Sequence, residues 1–360
     1  MYDFAVVGIG PAGARFARRA AQNGHSVIAF EKGEIGTPLA CSGHVSMDIW
    51  DYVPESAKDS LFQNDIYGAR FHPNGVNSSG YLFYRDDVIS NAIDRISLDK
   101  ILAEKAADAG AEIRSHHTVT NIQELDNEVK LQVRHKSETK TFRAKMVAGC
   151  DGPRSRARDA LGLPDPQEFL HGVLGFAEEP DHQDYVDVHL TVPTFFAWRI
   201  PRGDAGVEYG LAMPPGNDVA DRFSSFLDGY NATIGERCSG LIPIGPPSQI
   251  TSSRGFLIGD AAGQTKPFTG GGILYGMTAA DYAANTIDPD TPQTIREYES
   301  TWRSDFTSEI FLGRLIRKGY SAPPLVQQLG LRLFSGKIGV HMDKPTSLFS
   351  TEQLRALLSR

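Results

Sequence analysis

Residues 2–31, YDFAVVGIGPAGARFARRAAQNGHSVIAFE, decide the fold. Tyr2–Val7 reads as a short apolar strand that runs directly into Gly8-Ile9-Gly10-Pro11-Ala12-Gly13. A helical run of small and basic residues follows, and then a second strand over 25–30 that ends on Glu31. In that order the glycines have separate tasks. Gly8 allows the tight turn, Gly10 lets the backbone approach a pyrophosphate, and Gly13 lets the helix pack closely on the strand. Glu31 stands where a carboxylate accepts from both hydroxyls of an adenosine ribose, which favours FAD or NAD over the 2'-phosphate of NADP. A bare glycine motif is weak on its own. The strand before it, the helix after it and the acid at the proper remove turn it into a dinucleotide-binding α/β unit.

At 360 residues the chain has room for two ordinary domains, or for one large nucleotide unit with an inserted second part. A net charge of −8 and a pI near 5.7 argue against a nucleic-acid binder, which needs a basic stripe. Cys41, Cys150 and Cys238 are odd in number and far apart, so a disulfide framework is not expected and a reducing, cytoplasmic setting is. The sequence has neither CxxC nor HExxH spacing, and no metal site is expected. The first residues form a strand rather than a signal peptide, and no run of 18 apolar residues offers a membrane span.

A second motif lies far along the chain, in Arg254–Met277, RGFLIGDAAGQTKPFTGGGILYGM. It reads as a strand over 255–258, a turn at Gly259-Asp260, a loop, and a helix entered through Gly270, Gly271 and Gly272. Consecutive glycines at a helix start bring bare amides close to a ligand, and the helix N-terminus adds partial positive charge, so the site suits an anionic group. Asp260 is placed to accept from the hydroxyls of a sugar or sugar alcohol. A surface turn followed by a glycine-rich cap is the plain alternative.

Between the two motifs the chain alternates between nucleotide-unit signals and sheet. The loop 31–46 is rich in Gly, Pro and Ser and contains Cys41-Ser42-Gly43 and His44, each either chemical or mere filler. Two alternating runs around Pro73-Asn74-Gly75 predict a hairpin, with Tyr81, Phe83 and Tyr84 either lining a cavity or packing the sheet. Helical periodicity over 94–109 places Arg95 at a helix start, within reach of cofactor phosphates or simply in solvent. A meander over 112–142 follows, then a buried strand over 145–150 ending in Asp151-Gly152; His116, His117 and His135 read as solvated. Residues 172–213 alternate as antiparallel sheet, with Phe195, Phe196 and Trp198 either packing a core or facing a ligand, and 217–230 reads as an amphipathic helix.

Taken together, GIGPAG with Glu31, the Asp94-Arg95 helix start with Asp99, the CDGPRS turn at Cys150 and GDAAGQTKPFTGGG at Gly259 resemble the FAD-dependent reductase and monooxygenase superfamily of the hydroxylase fold. They span the nucleotide portion nearly end to end. Within it the chain is most similar to the archaeal geranylgeranyl reductases, whose flavin loop reads GDAAG rather than GDAAH and whose first loop carries a Cys before a Ser-Gly pair, as at Cys41. The resemblance implies an α/β fold: a Rossmann-like FAD domain, an interleaved antiparallel-sheet substrate domain and a helical carboxyl-terminal segment. It implies FAD-domain boundaries of 1–65, 90–165 and 245–295, a substrate domain of 66–89 and 166–244, and a helical segment of 296–360. It assigns FAD to Gly8, Gly10, Gly13, Glu31, Lys32, Cys41, Ser42, Gly43, Arg95, Val119, Asp151, Asp260, Gly270, Gly271, Gly272 and Ile273, with the glycine helix start facing the flavin pyrimidine.

The implied reaction saturates C=C bonds of geranylgeranyl chains in lipids or their diphosphate precursors, with hydride from flavin N5. Cys41, or a water it holds, is the candidate proton donor, the alternative being that it only shapes the flavin pocket, and Phe196 and Trp198 are the candidate aromatic faces that stabilise positive charge on the tertiary carbon. The family's PxxYxWxFP strand appears here as Pro193-Thr194-Phe195-Phe196-Ala197-Trp198-Arg199-Ile200-Pro201. That string also approaches the WxWxIP of flavin-dependent halogenases, so a halogenase or monooxygenase is the alternative, and a flavoprotein that carries lipid or electrons without turnover is a third. The absence of lysine from 59–99 favours the reductase. No second GxGxxG is present for a nicotinamide, so NAD(P)H docks transiently or a small iron–sulfur protein delivers electrons. Residues 303–344 carry seven Lys or Arg against three Asp or Glu. That balance predicts peripheral contact with the inner face of a membrane.

Overall fold

A computed structural model describes residues 1–39, 41–216 and 218–358. Tyr2–Val7 is the centre of the first sheet. It pairs in parallel with Val27–Phe30 on one side and with Glu138–Gly149 on the other. Strands flanked in this way are covered on both faces, and Phe4 to Val7 are accordingly all buried, as a near-continuous apolar run requires. The sheet has seven strands, in the order Glu112–Arg114, Val27–Phe30, Tyr2–Val7, Glu138–Gly149, Val129–His135 and Thr118–Glu124, with Gly255–Leu257 also pairing with Glu138–Gly149. Helices Pro11–Gln22, Arg95–Asp108 and Ile273–Thr286 pack together beside it. Phe4, Phe16 and Phe256 meet edge to face in the core, Phe4 and Phe16 at 5.3 Å.

The last strand of the meander and the buried strand, read separately from the sequence, are one twelve-residue strand, Glu138–Gly149. Its first part is exposed and pairs antiparallel with Val129–His135; its last four residues are buried and pair in parallel with Tyr2–Val7. The change of pattern marks a change of neighbours, not a break in the chain.

The second sheet has eight strands, in the order Cys238–Ile244, Glu168–Ala177, Val207–Met213, Ala197–Pro201, Tyr185–His189, Gly68–His72, Tyr81–Tyr84 and Gly336–Lys337. The hairpin about Gly75 is present, with Gly68 opposite Tyr84. Helix Val219–Tyr230 covers one face through Phe223, Phe226 and Leu227; Asn217, where that helix was expected to begin, lies outside the described residues. The period of two sends Trp198 and Ile200 to the other face, toward the nucleotide unit, where Phe195 and Phe196 also line the cavity. Regular strand starts only at Ala197, so Phe195 and Phe196 precede it.

A third sheet, of His44–Ser46, Ser90–Ile93 and Phe62–Ile66, bridges the two larger ones; of its strands only His44–Ser46 falls in the stretch read from the sequence as a loop. Its strands have three to five residues, too few to show an alternation. The carboxyl-terminal segment is mainly helical, in Thr294–Lys318, Pro324–Phe334 and Thr351–Leu358, but Gly336–Lys337 joins the second sheet beside Tyr81–Tyr84. The architecture is α/β, a Rossmann-like unit with an interleaved, largely antiparallel sheet and a helical end.

Candidate active site

The first glycine loop shows why each glycine is there. Gly8 has φ +93°, and a Cβ on it would stand 2.4 Å from the Cys150 carbonyl oxygen. A Cβ on Gly13 would stand 2.1 Å from the Gly8 carbonyl oxygen, so any side chain would force the helix off the strand. Gly10 differs: among the described residues nothing lies within 4 Å of its Cβ position, and it lies on the wall of a cavity. Glu31 accepts the Ile9 amide at 2.9 Å and the Gly33 amide at 3.4 Å, tying the loop to the end of the second strand.

The cavity, of about 800 Å³, opens between the two large sheets. Gly10, Cys41, Ser42, Arg95, Asp260, Gly270, Gly271, Gly272 and Ile273 all line it, and so do Phe196 and Trp198 of the second-sheet region. Arg95 enters from the first turn of its helix, whose N-terminus Asp94 caps by accepting from the Ile96 and Ser97 amides at 3.0 Å each. It is buried and ion-paired with Asp99, yet its Nε has no hydrogen-bond partner among the described residues. Burial opposes its charge, but Asp99 and the Cys41 sulfur beside it hold it above the ordinary arginine value. Burial pushes the Asp260 carboxyl up to about 6, with Arg95 pulling it back. Helix Ile273–Thr286 starts at Gly272 with no side-chain cap among the described residues, so its first amides are open to a ligand.

Seven sequence-predicted residues do not line the cavity: Gly8, Gly13, Glu31, Lys32, Gly43, Val119 and Asp151. Lys32 is exposed, and Val119 is buried within the first sheet. The Asp151 carboxylate accepts from Ser155 Oγ at 2.5 Å and from the Arg156 and Ala157 amides at 2.7 and 3.1 Å, holding the entry to helix Arg156–Ala160. Gly43 has φ +72°, and its Cβ position is 2.6 Å from the Ile93 carbonyl oxygen, so it shapes the loop that carries Cys41 and Ser42.

Sequence reasoning missed two buried ion pairs. Trp198 Nε1 donates to Glu208 Oε1 at 2.8 Å, and Arg202 Nη1 donates to Glu208 Oε2 at 2.9 Å. Arg202 also donates to the Ser42 and Ile93 carbonyls, at 2.6 and 2.7 Å, so one buried guanidinium ties the Trp198 strand to the loop of Cys41 and to the strand before Arg95. Gly210 faces Trp198 across the strand pair, and a Cβ there would stand 2.3 Å from indole Cε2. The second pair joins Lys266 of the flavin-type loop to Asp343 of the carboxyl-terminal segment, and Asp343 also accepts from Ser46. His44 lies nearby on the cavity wall; burial, with Lys266 and Arg202 close, lowers it to about 4, so it stands neutral, with Nε2 2.8 Å from Ser90 Oγ. Lone acids inside apolar strands, such as Glu208 in VEYGLAM, are the signal that was available.

A family model described as FAD binding domain matches residues 91–221. A digeranylgeranylglycerophospholipid reductase of Picrophilus torridus is 30% identical over 318 residues, covering 79% of this chain and 77% of that protein. The chain belongs to this reductase family. A family member from Methanosarcina acetivorans is 28% identical over 346 residues, covering 88% of this chain and 84% of that protein. Among solved structures, a geranylgeranyl bacteriochlorophyll reductase-like protein from Thermoplasma acidophilum superposes with a TM-score of 0.86 over 99% of this chain and 98% of that one, at 22% identity, which is likeness of fold. The cofactor is FAD. The residues present fit it: Gly10 leaves open space at the loop, Arg95 Nε is buried and unpartnered, and the Gly272 helix start offers uncapped amides.

Proposed function

We propose that this protein saturates C=C bonds of geranylgeranyl chains, in membrane lipids or their diphosphate precursors, with FAD as the redox cofactor. What carries the reading is a single cavity that joins the glycine loop, Arg95, Asp260 and the Gly270–Gly272 helix start to an apolar wall containing Phe196 and Trp198. The domain division follows: 1–65, 90–165 and 245–295 hold FAD, 66–89 and 166–244 hold the substrate, and 296–360 closes the site.

When bound, FAD supplies hydride from N5. Gly8, Gly10 and Gly13 shape the loop for its pyrophosphate, Glu31 accepts from the adenosine ribose, and Arg95 offers its free Nε to phosphate oxygens. Asp260 accepts from ribityl hydroxyls, and the helix start at Gly272 places partial positive charge against the flavin pyrimidine. Ser42 and Ile273 line the same cavity, and Gly43 and Asp151 hold the loops behind it.

An isolated alkene accepts hydride poorly, so a proton must reach one carbon as the other gains hydride. Cys41, half-buried on the cavity wall beside Arg95, is the proton donor in this reading. Positive charge then builds on the tertiary carbon, and the Phe196 and Trp198 rings, 6.0 Å apart and inclined at 71°, each stabilise it by about 1 to 2 kcal/mol in a dry site. The halogenase alternative is disfavoured by the lysines: Lys58 and Lys100, which flank the 59–99 segment, are paired with Glu55 and Glu34, and Lys266 on the cavity wall is held by Asp343. Electrons arrive from NAD(P)H docking transiently or from a small iron–sulfur protein. The protein works in the cytoplasm and touches the inner face of the membrane peripherally; among the described residues no helix is long and apolar enough to cross one.

The test is single turnover. Holoenzyme reduced chemically without oxygen should be reoxidised by a geranylgeranyl lipid or diphosphate, with product heavier by one pair of hydrogens per double bond. Reoxidation that requires oxygen and leaves hydroxyl or halogen on the product would overturn the reading.

A further inference from the structure

The exposed apolar surface of this protein is gathered in one region. Among the described residues, every exposed large apolar side chain apart from Met1, Met47 and Phe62 lies between 311 and 354. Single exposed leucines are ordinary; a concentration of them marks a surface that is covered in use.

Helix Pro324–Phe334 lies at the centre of that region and is apolar on two sides. Leu325, Leu329 and Leu333 recur at every fourth position and form one stripe, Leu325 being 79% and Leu329 60% exposed. Gln327, Gly330 and Leu331 stand on the opposite side and line the cavity. Phe311 and Leu315, 70% and 56% exposed near the end of helix Thr294–Lys318, extend the apolar surface. The wall of the cavity and the exposed apolar stripe are thus two sides of the same helix.

The charge nearby identifies what covers the stripe. From Ile310 to Met342 the chain has no Asp or Glu and five Lys or Arg, in a protein of net charge −8. Arg317 is held by Glu168 and Arg314 by Gln167, while Lys318 and Arg332 are exposed. Glu168 and Asp86 neutralise Arg317 and Lys337, which leaves the stripe on a stretch with exposed cations at Lys318 and Arg332 and no carboxylate of its own, a match for an anionic bilayer. A second copy of this acidic chain meets the same cations but has no use for an apolar passage behind the helix.

We propose that the outer face of Pro324–Phe334 seats in an anionic membrane surface, and that an isoprenoid chain passes beside this helix from the bilayer into the cavity while its polar head stays near Lys318 and Arg332. The proposal rests on the isoprenoid reading of the cavity and deepens it: substrate is taken from the side, without leaving apolar surroundings.

The experiment uses full-length FAD-loaded protein and flotation with vesicles of phosphatidylglycerol and phosphatidylcholine, or of phosphatidylcholine alone. Wild type should float with the anionic vesicles at low salt and be released at high salt. The Leu325→Glu/Leu329→Glu variant should lose bound fraction by about tenfold or more, with its flavin spectrum unchanged. Its reduction of a geranylgeranyl lipid embedded in vesicles should fall in parallel, while reduction of detergent-dispersed geranylgeranyl diphosphate stays at the wild-type rate. A Lys318→Glu/Arg332→Glu variant should likewise lose flotation with anionic vesicles at low salt, with its flavin spectrum unchanged. Wild type that fails to float at low salt, or a leucine variant that floats equally well, overturns the proposal. So does a leucine variant that converts a dimer to a monomer with flotation unchanged, since the stripe is then an interface between copies. Wild type that floats but reduces neither substrate overturns the isoprenoid reading and leaves the membrane face standing.

Discussion

Replacing Glu208 by Gln removes a pH dependence of stability that the structure places on one buried carboxyl. Glu208 is fully buried, and burial pushes it from 4.5 up to about 7, although Arg202 and Trp198 both act to lower it. The folded protein therefore keeps a proton on this group over a range in which the unfolded chain has released it. Stability from this source is fully present below about pH 4.5 and is lost as pH rises through about 7. The separation of the two values, at about 1.4 kcal/mol per pH unit, corresponds to about 3 kcal/mol in all. Of this, about 2 to 3 kcal/mol falls between about pH 5 and about pH 8. Gln keeps an acceptor for Trp198 Nε1 and cannot titrate. Asp260 and Asp151, also raised by burial, contribute the same slope to both proteins and cancel in the difference. Urea unfolding of wild type and Glu208→Gln, followed by tryptophan fluorescence across this range, reads the effect. Whatever the offset between the two proteins, the variant should gain about 2 to 3 kcal/mol on wild type as pH rises. Parallel curves would refute the assignment of this titration to Glu208.

Gly10→Ala should raise the Kd for FAD by about tenfold or more, measured by flavin fluorescence, and leave the unfolding of FAD-free protein unchanged, because its Cβ meets only open space. Gly13→Ala should instead destabilise the FAD-free protein by about 1 to 3 kcal/mol or more, since its Cβ runs into the Gly8 carbonyl. Glu31→Ala should release FAD on dialysis, each lost charge-assisted hydrogen bond costing about 1.5 to 3 kcal/mol; stoichiometric retention would count against its ribose role. Trp198→Ala should slow reoxidation of the reduced holoenzyme by geranylgeranyl substrate about tenfold while FAD stays bound, as stopped-flow absorbance would report.

The parts of the fold legible in the sequence are those in which local signals carry the architecture. Tyr2–Val7, the helix after Gly10 and the strand ending at Phe30 announce themselves by run length and glycine spacing, and the hairpin about Gly75 by two-residue alternation. The bridging sheet of His44–Ser46, Ser90–Ile93 and Phe62–Ile66 does not, because three short strands make sense only once paired. At the site, the residues found were those set by motif. Lys266 and Asp343 stand 77 positions apart and meet only because the carboxyl-terminal segment folds back over the flavin-type loop. No local pattern encodes that meeting. Glu208 was open to inference, since a carboxyl inside VEYGLAM needs a buried partner, but its partner Arg202 sits beyond a turn and outside the alternation.

Gly210 is a vacancy that the second sheet keeps for a ring. The Trp198 indole lies so close to it that no side chain fits beneath, and the indole nitrogen is fastened to Glu208, so the ring cannot slide along the strand to make room. A methyl group at position 210 has one effect open to it, which is to lift the indole toward the cavity. The bore available to an incoming chain is therefore set from behind the wall, and the sizes of chain this protein admits become adjustable through a residue that never touches one.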